Sequence, residues 1–126
     1  MAMAGERILV IDDDRPVLTY LKAVLGRAGY RVFTALDALQ GSMVARQAQP
    51  DLVVLDLAMP GGGGRAVLDR LRRMQATMQI PIVVYSGLPK ERMEQLVPAG
   101  PDLLFVEKSG NPDDVLKAVR TLLGGH

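Results

Sequence analysis

Asp12, Asp13, Asp56, Ser86 and Lys108 are the residues of this chain whose types and positions could do chemistry. Each stands at or just past the end of a short apolar run: the runs are residues 8–11, 52–55, 82–85 and 103–106. In a parallel sheet the C-terminal ends of the strands meet along one edge, so these side chains would converge there. Three carboxylates, a hydroxyl and an ammonium are the inventory for holding a divalent cation and moving a phosphoryl group. The carboxylates carry −3, and Mg²⁺ with the Lys108 ammonium supplies +3, so the group balances without protonating any acid. All-oxygen ligands of this kind favour Mg²⁺ over zinc.

The elements that must position these residues follow from hydrophobic period. Strand-length apolar runs alternate with segments of helical period, which reads as β-α repeated five times, an α/β protein with a doubly wound parallel sheet. The strands are expected at residues 7–11, 31–35, 52–56, 82–85 and 103–106. The first helix, about 16–28, would put Val17, Leu21, Val24 and Ala28 on its inner stripe, with Gly29 as C-terminal cap. The second, about 38–47, is capped by Asp37 and has the weakest stripe, Leu39, Met43 and Arg46. The third, about 65–77, follows a glycine-rich loop and aligns Val67, Leu71, Met74 and Met78. The fourth, about 89–96, is short and mostly charged, so it should be loosely held. The fifth is announced by Asn111 as cap, Pro112 in the first turn and Asp113 and Asp114 near the positive end of the dipole, with Val115, Val119 and Leu122 inward.

Each motif has a plainer reading beside the chemical one. The acidic triplet can cap the first helix, a role expected for Asp14. The functional case for its neighbours is that the first and third strands of a right-handed doubly wound sheet lie side by side, which brings Asp12 and Asp13 to Asp56. Lys108, between Val106 and Ser109-Gly110, ends a buried strand, where its stem packs while its head reaches the acidic crevice. Gly61, Gly63 and Ala66 match a dinucleotide fingerprint formally, but without the first-strand context it requires they read as a flexible loop. His126, the sole histidine, is the last residue, which removes histidine base catalysis and histidine metal sites from consideration.

Composition bounds the rest. At 126 residues and 48% hydrophobic content the chain suits one domain, 1–126. It lacks cysteine, so disulfides, thiolate metal sites and cysteine nucleophiles are excluded. No apolar run is long enough for a signal peptide or membrane span, and the cytoplasm is the expected compartment. With a net charge of +1 and no aromatic interleaving around Arg70, Arg72 and Arg73, direct nucleic-acid binding is not expected.

Taken in order, Ile8-Leu9-Val10-Ile11-Asp12-Asp13-Asp14, Asp51-Leu52-Val53-Val54-Leu55-Asp56-Leu57-Ala58-Met59-Pro60-Gly61, Ile82-Val83-Val84-Tyr85-Ser86-Gly87 and Phe105-Val106-Glu107-Lys108 resemble the receiver domain of two-component response regulators, the family that includes the single-domain chemotaxis regulator. Gly64 matches the second glycine of that family's P-G-x-x-G loop. The resemblance spans nearly the whole chain. It implies a flavodoxin-like (βα)5 sandwich of strand order 2-1-3-4-5, with Asp56 as phosphoacceptor. By the same resemblance Asp12, Asp13, Asp56 and the backbone carbonyl of Ala58 hold Mg²⁺. Ser86 bonds a phosphoryl oxygen, Lys108 pairs with the phosphate, and Phe105 occupies the place of the switch aromatic. It implies a sensor histidine kinase or phosphotransfer protein as donor, a downstream protein or output domain as target, and a changed surface over the fourth helix, fifth strand and fifth helix. The chain is then expected to be a signalling switch rather than an enzyme, with self-phosphotransfer and autodephosphorylation its only reactions and no output domain after residue 123.

Three departures stand out. Ser109 follows the lysine where the family commonly has a cis proline, and a cis bond without proline costs roughly 3–4 kcal/mol. One residue more than expected separates Ala99-Gly100 from Lys108, which suggests an insertion near Pro101-Asp102. Phe105 lacks a hydroxyl, so any switch there works by packing. Two rival readings exist. One is a receiver-like interaction module that needs no phosphorylation. The other is a phosphohydrolase of the haloacid dehalogenase type, since Asp12-Asp13-Asp14 contains D-x-D; Pro16 and the short chain speak against it.

Overall fold

The computed structural model describes residues 5–98, 100–111 and 113–124. Strands β1 (Arg7–Ile11), β2 (Arg31–Ala35), β3 (Leu52–Leu55), β4 (Ile82–Ser86) and β5 (Leu103–Glu107) alternate with helices α1 (Arg15–Arg27), α2 (Ala38–Ala48), α3 (Gly63–Arg73), α4 (Lys90–Leu96) and α5 (Asp114–Leu123). All pairings are parallel, in the expected order β2-β1-β3-β4-β5. The central strands read as unbroken apolar runs because helices cover both faces of the sheet. Alternate residues therefore feed two cores. Leu9, Ile11, Val53, Leu55, Ile82 and Val84 pack with Ala45, Val67, Leu71 and Met93 of α2, α3 and α4. Ile8, Val10, Leu52, Val54 and Val83 pack with Leu18, Leu21, Leu25, Val115 and Val119 of α1 and α5.

Several helix details differ from the sequence reading. On α1 the buried stripe is Leu18, Leu21 and Leu25, and Val17, Val24 and Ala28 flank it. Ala28 is the C-cap, and Gly29 follows it with φ +101°. Asp14 stands at the N-cap of α1 but its side chain caps nothing; its own N–H donates to Asp12 Oδ1 at 2.9 Å. Asp37 does cap α2, its Oδ1 accepting from the Gln40 N–H at 2.8 Å. The α2 stripe, however, points the other way: Gly41, Ser42 and Ala45 are buried while Leu39 and Met43 face solvent. The cause is close packing, since a Cβ on Gly41 would lie 2.7 Å from Ile11 Cδ1.

Helix α3 stops at Arg73, four residues early, because Met74 turns extended and the Thr77 hydroxyl donates to the Leu71 carbonyl at 2.8 Å. Met74 and Met78 thus leave the helical stripe, and Met78 is exposed. At α5 the N-cap is Asp113, and Asn111 instead forms a turn before it, Oδ1 accepting from the Asp113 N–H at 2.9 Å. Val115, Ala118 and Val119 are its buried residues, with Leu122 at the core margin. Pro112, Ala99 and His126 lie outside the described residues.

Candidate functional site

Ile11 and Leu55 are register partners on adjacent strands, so the residues after them, Asp12 and Asp56, emerge side by side. The ladder continues one step into both turns: the Asp12 N–H donates to the Ala35 carbonyl and the Asp56 N–H to the Ile11 carbonyl, each at 3.1 Å. Backbone pairing thereby holds two carboxylates in place at 2% and 4% exposure. Asp13, next along the β1 turn, is exposed and contributes from the solvent side. One oxygen from each of the three lies within 4.8 Å of the others. The Ala58 N–H donates to Asp56 Oδ1 at 3.0 Å, which folds the β3–α3 turn back over Asp56.

Lys108 reaches this cluster from the far side of β4. Its N–H donates to the Ser86 carbonyl at 2.8 Å, fixing the base of the side chain. Its Nζ lies 2.8 Å from Asp12 Oδ2 and 3.4 Å from Asp56 Oδ2. Burial pushes the Asp12 carboxyl up, and the Asp56 charge adds to this, against hydrogen bonds from Lys108 and the Asp14 N–H. Burial alone would lower the Lys108 ammonium; its hydrogen bond to Asp12 and the two carboxylate charges outweigh that and hold it above its ordinary value. Three carboxylates against one ammonium leave net negative charge in a partly buried, all-oxygen donor set. That set fits a hard divalent cation such as Mg²⁺ and does not fit a soft metal.

Ser86 lies at the same edge, one residue past the level of Asp56, and is fully buried. Its Oγ accepts from the Leu88 N–H at 3.3 Å, so the hydroxyl is built into the turn leading to α4 and is not bonded to the carboxylates. Phe105, beside Val84 on β5, is half-buried and packs into the core that holds Met93 and Val97.

The loops at Lys108–Ser109 and before β5 close without a cis peptide bond among the described residues, so Lys108–Ser109 is trans. The turn closes by other means: the Gly110 N–H donates to the Glu107 carbonyl at 3.1 Å and the Ser109 hydroxyl to Glu107 Oε1 at 3.3 Å. Before β5, a tight turn is closed by the Leu103 N–H on the Gly100 carbonyl at 3.3 Å. The glycine run forms a 3₁₀ turn, Pro60–Gly62, and α3 already starts at Gly63. Gly64 is required there, because a Cβ would lie 2.1 Å from the Asp56 carbonyl oxygen.

Two residues at the site were not picked out from sequence. The Tyr85 ring lies 5.8 Å from Lys108 Nζ and walls the ammonium on one side. Glu107 Oε2 accepts from the Lys90 N–H at 2.8 Å and so supplies the cap that α4, with Pro89 at its N-cap, lacks. A helix start with no capping side chain of its own was the available signal. The partner's identity depends on where β5 ends in space.

Comparison with known proteins places these features in context. The family model for the response regulator receiver domain matches residues 8–120. The DNA-binding dual master transcriptional regulator RpaA of Synechocystis is 35% identical over 119 residues, which cover 93% of this chain and 48% of that protein. Among solved structures, the chemotaxis protein CheY4 of Vibrio cholerae superposes with a TM-score of 0.84 at 26% identity, covering 96% of this chain and 99% of the other. The response regulator TrrA of Thermotoga maritima, solved in complex with Mg²⁺ and BeF, gives 0.78 at 28% identity over 93% of this chain and 98% of the other. The chain spans about half the length of the transcriptional regulators it matches.

Proposed function

The chain belongs to the response regulator receiver domain family and is a receiver of the two-component type, and on that footing we propose that Asp56 is its phosphoacceptor, served by Mg²⁺ and Lys108. The observation that carries this is the buried Asp12–Asp56 pair bridged by one ammonium, with Asp13 beside it. The carboxylates of Asp12, Asp13 and Asp56, with the Ala58 carbonyl, would hold the cation. Bound Mg²⁺ supplies positive charge against the phosphoryl oxygens.

The donor is a phosphohistidine on a sensor histidine kinase or phosphotransfer protein. An Asp56 carboxylate oxygen attacks phosphorus, the P–N bond breaks with its electron pair going to the imidazole, and an acyl phosphate forms. Lys108 Nζ, already within 3.4 Å of Asp56, shifts onto a phosphoryl oxygen and stabilises the charge that develops there. Ser86 accepts from the Leu88 N–H, which leaves its own proton to donate to another phosphoryl oxygen. That bond draws the β4–α4 turn toward Asp56, and Phe105 turns into the space beneath α4. The surface of α4, β5 and α5 changes and is read by a downstream protein or an output domain. Attack by water on the acyl phosphate resets the switch, and the chain turns over no other substrate. The cytoplasm is the setting, and nothing favours contact with nucleic acid; no described helix is long and apolar enough to cross a membrane.

Beryllofluoride with Mg²⁺ tests this acceptor assignment. Fluorine NMR should show a bound signal for the wild type and none for Asp56→Asn or without Mg²⁺; an undiminished signal in Asp56→Asn would move the acceptor elsewhere.

A further inference from the structure

Among the described residues nothing covers the outer face of α2. Leu39 is 68% exposed and Met43 51%, one helical turn apart, because the small residues Gly41, Ser42 and Ala45 occupy the inner face. Beside Leu39 runs a groove in two adjoining parts. A cavity of about 430 Å³ lies between Asp13, Asp37, Leu39, Met59 and Pro60. A second, of about 240 Å³, shares Ala38 and Leu39 with the first and extends to Ala66 and Arg70 on α3. Leu39 adjoins Met59 and Pro60 across this groove, and apolar side chains grouped on one face, unlike single exposed ones, are the kind of surface at which proteins associate.

The charge order along α2 identifies the occupant. Asp37 stands at the N-terminal end, Leu39 and Met43 in the middle, and Arg46 in the last turn. Turned end for end, this pattern is complementary to itself: acid meets base at both ends and the apolar pair meets the apolar pair. A two-fold axis near residues 41 and 42 sets Leu39 against Met43 of the second copy and Asp37 against its Arg46. A parallel arrangement would set Asp37 against Asp37 and Arg46 against Arg46. We propose that α2 is a self-association surface on which two copies of this chain pair antiparallel, Leu39 and Met43 interlocking at the centre. Arg46 of the second copy then lies at the rim of the cavity that Asp37 shares with Asp13, beside the acidic cluster. An eleven-residue helix is about 16 Å long, so the contact belongs to the small, transient class and forms with rising concentration.

Sedimentation equilibrium of the full chain over a concentration series tests the pairing, with far-UV circular dichroism as a check on folding. The wild type should pass from monomer to dimer, and Leu39→Ser should raise the midpoint concentration at least about tenfold. Because the chain has no cysteine, crosslinking then reads the orientation. Copies carrying Leu39→Cys should form disulfides with copies carrying Met43→Cys faster than either forms with itself. A chain that stays monomeric at every concentration overturns the proposal and leaves the face to a different protein. So does a dimer indifferent to Leu39→Ser, or one in which only like positions crosslink.

Discussion

Among the described residues Lys108 is the one cation paired with the two buried carboxylates, so its removal should be felt in stability as well as in chemistry. Lys108→Met leaves Asp12 and Asp56 facing each other without a counter-charge. For fully buried pairs such a loss costs roughly 3–5 kcal/mol; here the lysine side chain is 22% exposed, and about 1–3 kcal/mol is expected in metal-free solution. Mg²⁺ should recover part of it, because the cation then carries the neutralisation alone. Urea melts of wild type and Lys108→Met with and without Mg²⁺ measure both quantities. Equal stability of the two proteins without metal would mean that the ammonium is not holding the cluster together. The same physical picture explains why Asp12 is pushed up by burial even with Lys108 at 2.8 Å: one point charge offsets only part of the desolvation of two acids.

Among the elements, α4 is the one the proposed mechanism would move, since it begins four residues past Ser86. Only Met93 within this helix is buried, in keeping with the weak anchoring expected from its charged sequence. What the sequence reading lacked is the Glu107 carboxylate, which ties the first turn of α4 to the end of β5 and, through Ser109, to the loop after Lys108. Glu107 thereby couples the turn that follows Ser86 to the turn carrying Lys108. Glu107→Ala removes a charge-assisted cap worth about 1 kcal/mol, so amide exchange at residues 90–93 should speed by about fivefold while α1 and α5 are unchanged. Unchanged protection of α4 would show that this cap is dispensable and that Met93, Val97 and the Arg65 guanidinium on the Leu96 carbonyl hold the helix.

For the whole molecule, the legible features are those carried by local pattern. All five strands could be placed because apolar runs of strand length are separated by turn residues, and the residues of the candidate site were visible because they end those runs. Features set by close approach were not. Gly41 and Ala45 carry no apolar stripe, so the inner face of α2 could not be told from the outer one. The early end of α3 depends on Thr77 folding back onto Leu71, which a helical period continuing through Met74 and Met78 conceals. The Tyr85 wall beside Lys108 joins two strands, and nothing local announces it. Burial on the α1–α5 side also bears on how the fold responds to alkali. Tyr30 is pushed above its ordinary value of 10.0, first by burial and then by the Glu6 charge, against the influence of Arg120. A raised phenol pKa means that the neutral ring stabilises the native state; that contribution is intact below about pH 10 and is lost as pH rises through the folded value. Tyr30→Phe should therefore move alkaline unfolding to higher pH, followed by circular dichroism, and an unmoved midpoint would assign the limit to another group.

The central claim is that Asp56 receives a phosphoryl group in a reaction that needs Mg²⁺. Intact-mass spectrometry after incubation with acetyl phosphate decides it most directly. The account predicts one phosphoryl adduct on the wild type with Mg²⁺, and none on Asp56→Asn or when the metal is chelated. An adduct that persists in Asp56→Asn, or no adduct under conditions that label another receiver domain, would contradict it.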